Sequence, residues 1–179
     1  MLEAFGPGAL LADTKSVHVP GEKRIGKASP AAEFEAHRRR NLRILLFRST
    51  RIINARVTEE LQRRGYADVR PGHGTLLANL DFDGNSVTEI ADRAQISTQA
   101  AGKLALELER LGYITREADR RDKRALTLRF TAAGRRLVRA TVEVVDEIEA
   151  EVSRGVGGRR FEAALAVLRG IVYGRERET

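Results

Sequence analysis

The 179-residue chain has no cysteine and no tryptophan, one methionine, three histidines and four prolines. Without cysteine it forms no disulfide, thiolate metal site or redox thiol. The histidines, His18, His37 and His73, are scattered. A glycine-rich phosphate loop, a nucleophile elbow and a paired acid set with a nearby base are all missing, so an enzyme is the weakest reading, and neither a cofactor nor a metal is implied. No run of eighteen apolar residues occurs, which excludes a membrane-spanning helix. The opening residues, Met1 to Pro7, lack the basic flank and apolar stretch of a secretory signal. A cytoplasmic protein is the expectation.

What is present is charge and enough apolar content for a core. Hydrophobic residues make up 42% of the chain, and 32 basic residues against 25 acidic ones give a net charge of +7 and a pI near 10.3. Such an excess favours a polyanionic partner. Arginine supplies 27 of the 32 cations, as biased codon usage also would, so their distribution is more informative than their total. Between Tyr113 and Arg139 nine cations face three acids.

That basic stretch closes the most patterned part of the chain, residues 86–131. Ser86 followed by Glu89 is a capping box. Val87, Ile90, Ala91 and Ala94 then recur at helical spacing. After Gln95 and Ile96, Ser97 is placed to cap a second helix that stops at Gly112. Ala101, Leu104, Ala105, Leu108 and Leu111 form its inward stripe, which leaves Thr98, Gln99, Ala100 and Lys103 facing outward near its start. The period then changes from 3.6 to 2, in Tyr113 to Arg116 and again in Leu126 to Phe130. Between these strands Arg120, Arg121, Lys123 and Arg124 put four cations in five positions around Asp122, a hairpin tip that must stand in solvent.

This order of parts resembles the MarR family of bacterial transcriptional regulators. The likeness is carried by Leu111-Gly112-Tyr113-Ile114, by Asp122-Lys123-Arg124, and by Leu128-Arg129-Phe130-Thr131 with Gly134, and it covers roughly residues 35–173. Many members have a proline before the wing acid where this chain has Arg120-Arg121. The resemblance implies a mainly α (α+β) fold, a winged helix-turn-helix with N- and C-terminal dimerisation helices. It implies a homodimeric DNA-binding transcription regulator, a repressor by type, that reads double-stranded DNA at a palindromic operator. In that reading Asp122 orients Arg124, which reaches the minor groove or flanking phosphates. The resemblance further implies a small anionic or phenolic effector whose binding releases the DNA.

The DNA-contacting residues expected on this basis are Ser86, Ser97, Thr98, Gln99, Lys103, Arg120, Arg121, Lys123 and Arg124, with Asp122 orienting the wing. An effector site is not defined by the sequence. Arg43, Arg48, Arg51, Arg56 and His73 are the candidates, and for His73 a satisfied structural role is the commoner fate.

The expected partition is an N-terminal arm at 1–33, a first dimerisation helix at 34–64, the winged helix-turn-helix at 65–131, and C-terminal dimerisation helices at 132–179. The arm, with Pro7, Pro20 and Pro30, reads either as a tail or as a strap across a partner subunit. From Pro30 the pattern predicts one long helix to Arg64, ended by Gly65, with nine arginines against Glu59 and Glu60 between His37 and Arg64. A short helix is expected over 74–80, and turn chemistry over 81–85 in place of a calcium loop, whose ligand spacing is absent. Thr131 is expected to cap a helix running to Arg154 with Leu137, Val138, Val142, Val145, Ile148 and Val152 inward. Gly155, Gly157 and Gly158 then break the chain before a final helix over 159–173. One small winged helix has too little surface for all these apolar faces, which predicts a homodimer. Two rivals remain: a winged-helix protein-interaction module, and a non-specific architectural DNA binder.

Overall fold

The computed structural model describes residues 29–118 and 126–174. The arm before residue 29 and the wing tip, residues 119–125, lie outside the described residues. The chain divides into two compact units, one of residues Leu42–Val145 and the other drawn from the chain up to Asn41 and from Asp146 onward.

In the Leu42–Val145 unit, helix α2 (Leu42–Arg63) ends at Gly65, whose φ of +96° is the left-handed stop that glycine adopts without penalty. Helix α3 (Pro71–Leu77) starts three residues earlier than expected, because Pro71 occupies the first helical turn, where its missing N–H costs nothing. A two-residue strand, β1 (Asn85–Ser86), leads into α4 (Val87–Ala94). Ser86 Oγ accepts from Glu89 N–H at 3.2 Å and Glu89 Oε2 accepts from Ser86 N–H at 2.7 Å, the reciprocal pair read from the sequence. Gln95 turns the chain with φ +54°, and α5 (Thr98–Arg110) follows behind its cap Ser97.

Strands β2 (Ile114–Ala118) and β3 (Leu126–Phe130) pair antiparallel from Ile114↔Phe130 to Ala118↔Leu126, and β1 adds to the far edge of β3, giving the order β1-β3-β2. The core lies between this small sheet and three helices: Leu76 and Leu80, Ile90, Ala105 and Leu108 pack with Ile114, Leu128 and Phe130. Each such aliphatic side chain contributes about 1.5–3 kcal/mol on burial, so this cluster is what holds α5 and the hairpin together.

Helix α6 (Ala132–Val156) begins on Thr131, whose Oγ1 accepts from Gly134 N–H at 3.0 Å and donates to Gly112 C=O at 2.6 Å. Its inward face differs from the expected one. Leu137, Ala140, Val144 and Ile148 are buried, whereas Val142 is 53% exposed, because residues 137, 144 and 148 share one side of the helix and 142 lies across from them. Gly155 stays helical, and only Gly157, at φ +90°, breaks the chain.

The other unit contains α1 (Pro30–Arg40) and α7 (Gly158–Tyr173), neither of which has a buried residue. The single long helix expected from Pro30 to Arg64 is interrupted. Asn41 takes an extended conformation, φ −75° and ψ 115°, and its Nδ2 donates to His37 Nε2 at 3.0 Å. Asparagine is a poorer helix former than the arginines and leucine beside it, which makes this a place for the helix to stop.

Candidate nucleic-acid interface

Helix α5 is held by an inward stripe of Ala101, Ala105 and Leu108, each fully buried. Its end is a close-knit stop in which Tyr113 N–H reaches Leu108 C=O at 2.9 Å, Gly112 N–H reaches Glu109 C=O at 2.9 Å, and Gly112 sits at φ +75°. The same stop delivers the chain directly into β2, so the second helix and the hairpin are placed by one turn.

Opposite the buried stripe, Gln99, Lys103, Leu106 and Arg110 fall on one face, and all four are exposed. With 1.5 Å per residue this stripe is about 16 Å long. Ser97 and Thr98, also exposed, stand at its N-terminal end, where Ser97 Oγ accepts from Ala100 N–H at 3.1 Å and keeps its own proton free to donate. Gln99 and Lys103 therefore share the outward side of α5, while Ser97 and Thr98 are exposed at its N-terminal end and off that stripe. Ser86 is apart from them, at the start of α4, its oxygen engaged in the capping box. Leu106 and Arg110 were missed in the sequence, although continuing the spacing from Gln99 and Lys103 by one and two turns reaches both.

Arg120, Arg121, Asp122, Lys123 and Arg124 lie outside the described residues. The base of their hairpin is described: Arg129 Nε of β3 lies 3.2 Å from Glu117 Oε2 of β2, and Arg116 Nε of β2 lies 3.0 Å from Glu109 Oε2 of α5.

Of the effector candidates, four arginines lie along α2 and His73 lies on α3. Arg43, Arg48 and Arg51 of α2 are exposed, with Arg51 over the ring of Phe47 at 5.9 Å. His73 is buried at 2% exposure, its Nδ1 accepting from Arg70 N–H at 3.2 Å and its Nε2 3.1 Å from Glu107 Oε2. An open depression of about 400 Å³ is lined by Asp83, Gly84, Asn85, Ser86, Thr88 and Glu89 with Thr127 and Arg129, and by none of these candidates. Beside it Asp81 is held below the ordinary carboxylate range by the Asn85 amide, which donates to it at 3.0 Å, and by Arg93 at 2.7 Å. No helix among the described residues is long and apolar enough to cross a membrane.

Residues 67–125 match the family model described as MarR family. No curated protein sequence matches the chain. Among solved structures, the regulator BldR from Sulfolobus solfataricus is 19% identical with a TM-score of 0.61, covering 77% of this chain and 96% of its own. CouR from Rhodococcus jostii RHA1, solved bound to p-coumaroyl-CoA, is 21% identical with a TM-score of 0.60, covering 74% and 92%. A point mutant of MepR from Staphylococcus aureus, solved bound to an oligodeoxyribonucleotide, is 25% identical with a TM-score of 0.50, covering 73% and 95%. At these identities the likeness establishes a shared winged-helix fold.

Proposed function

We propose that this chain, whose residues 67–125 match the MarR family model, is a member of that family of transcription regulators and no enzyme: a homodimeric, sequence-specific DNA-binding repressor of the cytoplasm. Each copy lays α5 in the major groove and its wing against the flanking backbone or minor groove. The observation that carries this reading is the outward stripe of α5, in which Gln99 is suited to pair with adenine and Lys103 with guanine or a phosphate. Ser97 and Thr98 at the helix start, and Ser86 at the start of α4, supply hydroxyls and helix-end amides for phosphate contact. Arg120, Arg121, Lys123 and Arg124, with Asp122 to orient Arg124, add the sequence-independent part of the affinity.

Dimerisation is supported by large apolar side chains left open on the terminal helices. Phe34, Leu42, Leu45, Phe47 and Ile52 are exposed, as are Val167, Ile171, Val172 and Tyr173. A second copy is the partner that such faces fit, and two reading heads related by a two-fold axis recognise an inverted repeat with half-sites about 34–36 Å apart. The DNA-bound MepR structure and the ligand-bound CouR structure support a DNA partner and an effector for this chain by analogy. An effector releases DNA only if it prefers the spacing of heads that does not fit the duplex.

Selection of bound sequences from random duplexes tests the reading. The expected result is one enriched inverted repeat, to which Gln99→Ala binds about tenfold more weakly while its affinity for random duplex is unchanged, as the loss of one base pairing of about 1–3 kcal/mol requires. Failure to enrich any repeat leaves a non-specific binder, and no binding to DNA at all leaves a protein-interaction module.

A further inference from the structure

Helix α5 carries two acids, Glu107 and Glu109. On a helix that enters a groove walled by phosphates, a carboxylate near the outward face repels the duplex. At 100° per residue, Glu107 and Glu109 fall about 70° and 90° to either side of the Gln99–Lys103–Leu106–Arg110 stripe. Each is met there by a group from another element.

On one flank stands His73 of α3, 2% exposed. Arg70 N–H donates to its Nδ1 at 3.2 Å, which leaves the ring proton on Nε2, 3.1 Å from Glu107 Oε2. The tautomer is thus set by the start of α3, and its one N–H points at the carboxylate of α5. On the other flank Arg116 of β2 brings Nε to 3.0 Å from Glu109 Oε2, close enough for an ion pair although not aligned as a hydrogen bond.

We propose that His73 is a positioning residue for DNA recognition: through Glu107 it fixes the roll of α5 about its axis and holds that carboxylate back from the duplex, while Arg116 restrains Glu109 from the opposite side. A hydrophobic side chain in place of His73 would fill the same space without this hold, so burial alone does not account for a histidine whose two ring nitrogens both face polar groups. This inference rests on the reading of α5 as the DNA-contacting helix.

The test compares Glu107→Gln with Glu107→Ala. Glu107 is 49% exposed, so both variants should fold. Both remove the negative charge, but only glutamine keeps an acceptor for His73 Nε2–H. Two quantities are measured: the ratio of Kd for random duplex to Kd for the selected repeat, and hydrogen exchange of the α5 amides without DNA. Glu107→Gln is expected to keep the ratio within about twofold, whereas Glu107→Ala lowers it about tenfold, the order of loss that one hydrogen bond entails. The amides from Thr98 to Arg110 should also exchange faster in the alanine variant than in the glutamine one. Equal behaviour of the two variants overturns the proposal. If the wild-type protein enriches no sequence, it is the DNA-binding reading that fails, and the exchange comparison alone then decides whether His73 positions α5.

Discussion

At the scale of single residues, two helical glycines have opposite reasons to be there. A Cβ built on Gly134 would collide with the Tyr113 carbonyl oxygen, so the first turn of α6 can approach the backbone between α5 and β2 only without a side chain. Gly102, on α5, would place its Cβ in open space. Gly134→Ala is therefore expected to destabilise the fold by about 2 kcal/mol or more through overpacking against rigid backbone, and Gly102→Ala to stabilise it by about 0.5–1 kcal/mol through helix propensity. Urea unfolding of the two variants checks both signs. Asp81 gives a pH dependence. Its carboxyl is held below the ordinary value of 3.8 first by the Asn85 amide and then by Arg93, so the stability it contributes is present above that value and is lost as pH falls through the lower folded-state one. The difference in unfolding free energy between wild type and Asp81→Ala should accordingly shrink on acidification from about pH 5, and a gap that widened would contradict the assignment.

At the scale of elements, what was legible follows from how local each signal is. The capping box at Ser86, the cap at Ser97 and the stop at Gly112 are decided within a few residues and stand where the sequence put them, while the strand expected over 113–116 runs instead from Ile114 to Ala118, because pairing with β3 extends it. Strand β1 was not legible, because two residues carry no periodicity; what makes it a strand is pairing of Asn85 with Leu128 and of Ser86 with Thr127, more than forty residues away. The break at Asn41 was hidden because Asn is tolerated inside helices, and its local bond to His37 is visible only in three dimensions. The burial of Val144 in place of Val142 on the inner face of α6 is a matter of helical phase: two β-branched residues two positions apart are alike in composition, and only the line through Leu137 and Ile148 tells them apart. The wing supplies an element-level prediction. Arg124→Ala should weaken binding to the selected repeat and reduce the slope of log affinity against log salt by about 0.9 for each phosphate that Arg124 neutralises. Fluorescence anisotropy at a series of salt concentrations reads that slope, and an unchanged one removes Arg124 from the interface.

At the scale of the whole molecule, the sequence is informative about the reading head and much less so about the ends. Within residues 65–131 local punctuation and the buried cluster agree on one arrangement, from Leu76 through Leu108 to Phe130. In α1 and α7 no residue is buried, and in α2 the only buried apolar residue is Leu61, near its C-terminal end. Phe34, Phe47, Ile171 and Tyr173 remain more than half exposed, in keeping with the proposed pairing of two copies. A sequence records that these positions are apolar but not what covers them, and the same limit applies to the arginines of α2, whose role depends on that partner. The most direct measurement is native mass spectrometry of the protein on its selected duplex. The account predicts two chains per duplex carrying one inverted repeat, with half-sites about 34–36 Å apart; a single chain on a duplex with one unrepeated half-site would contradict it.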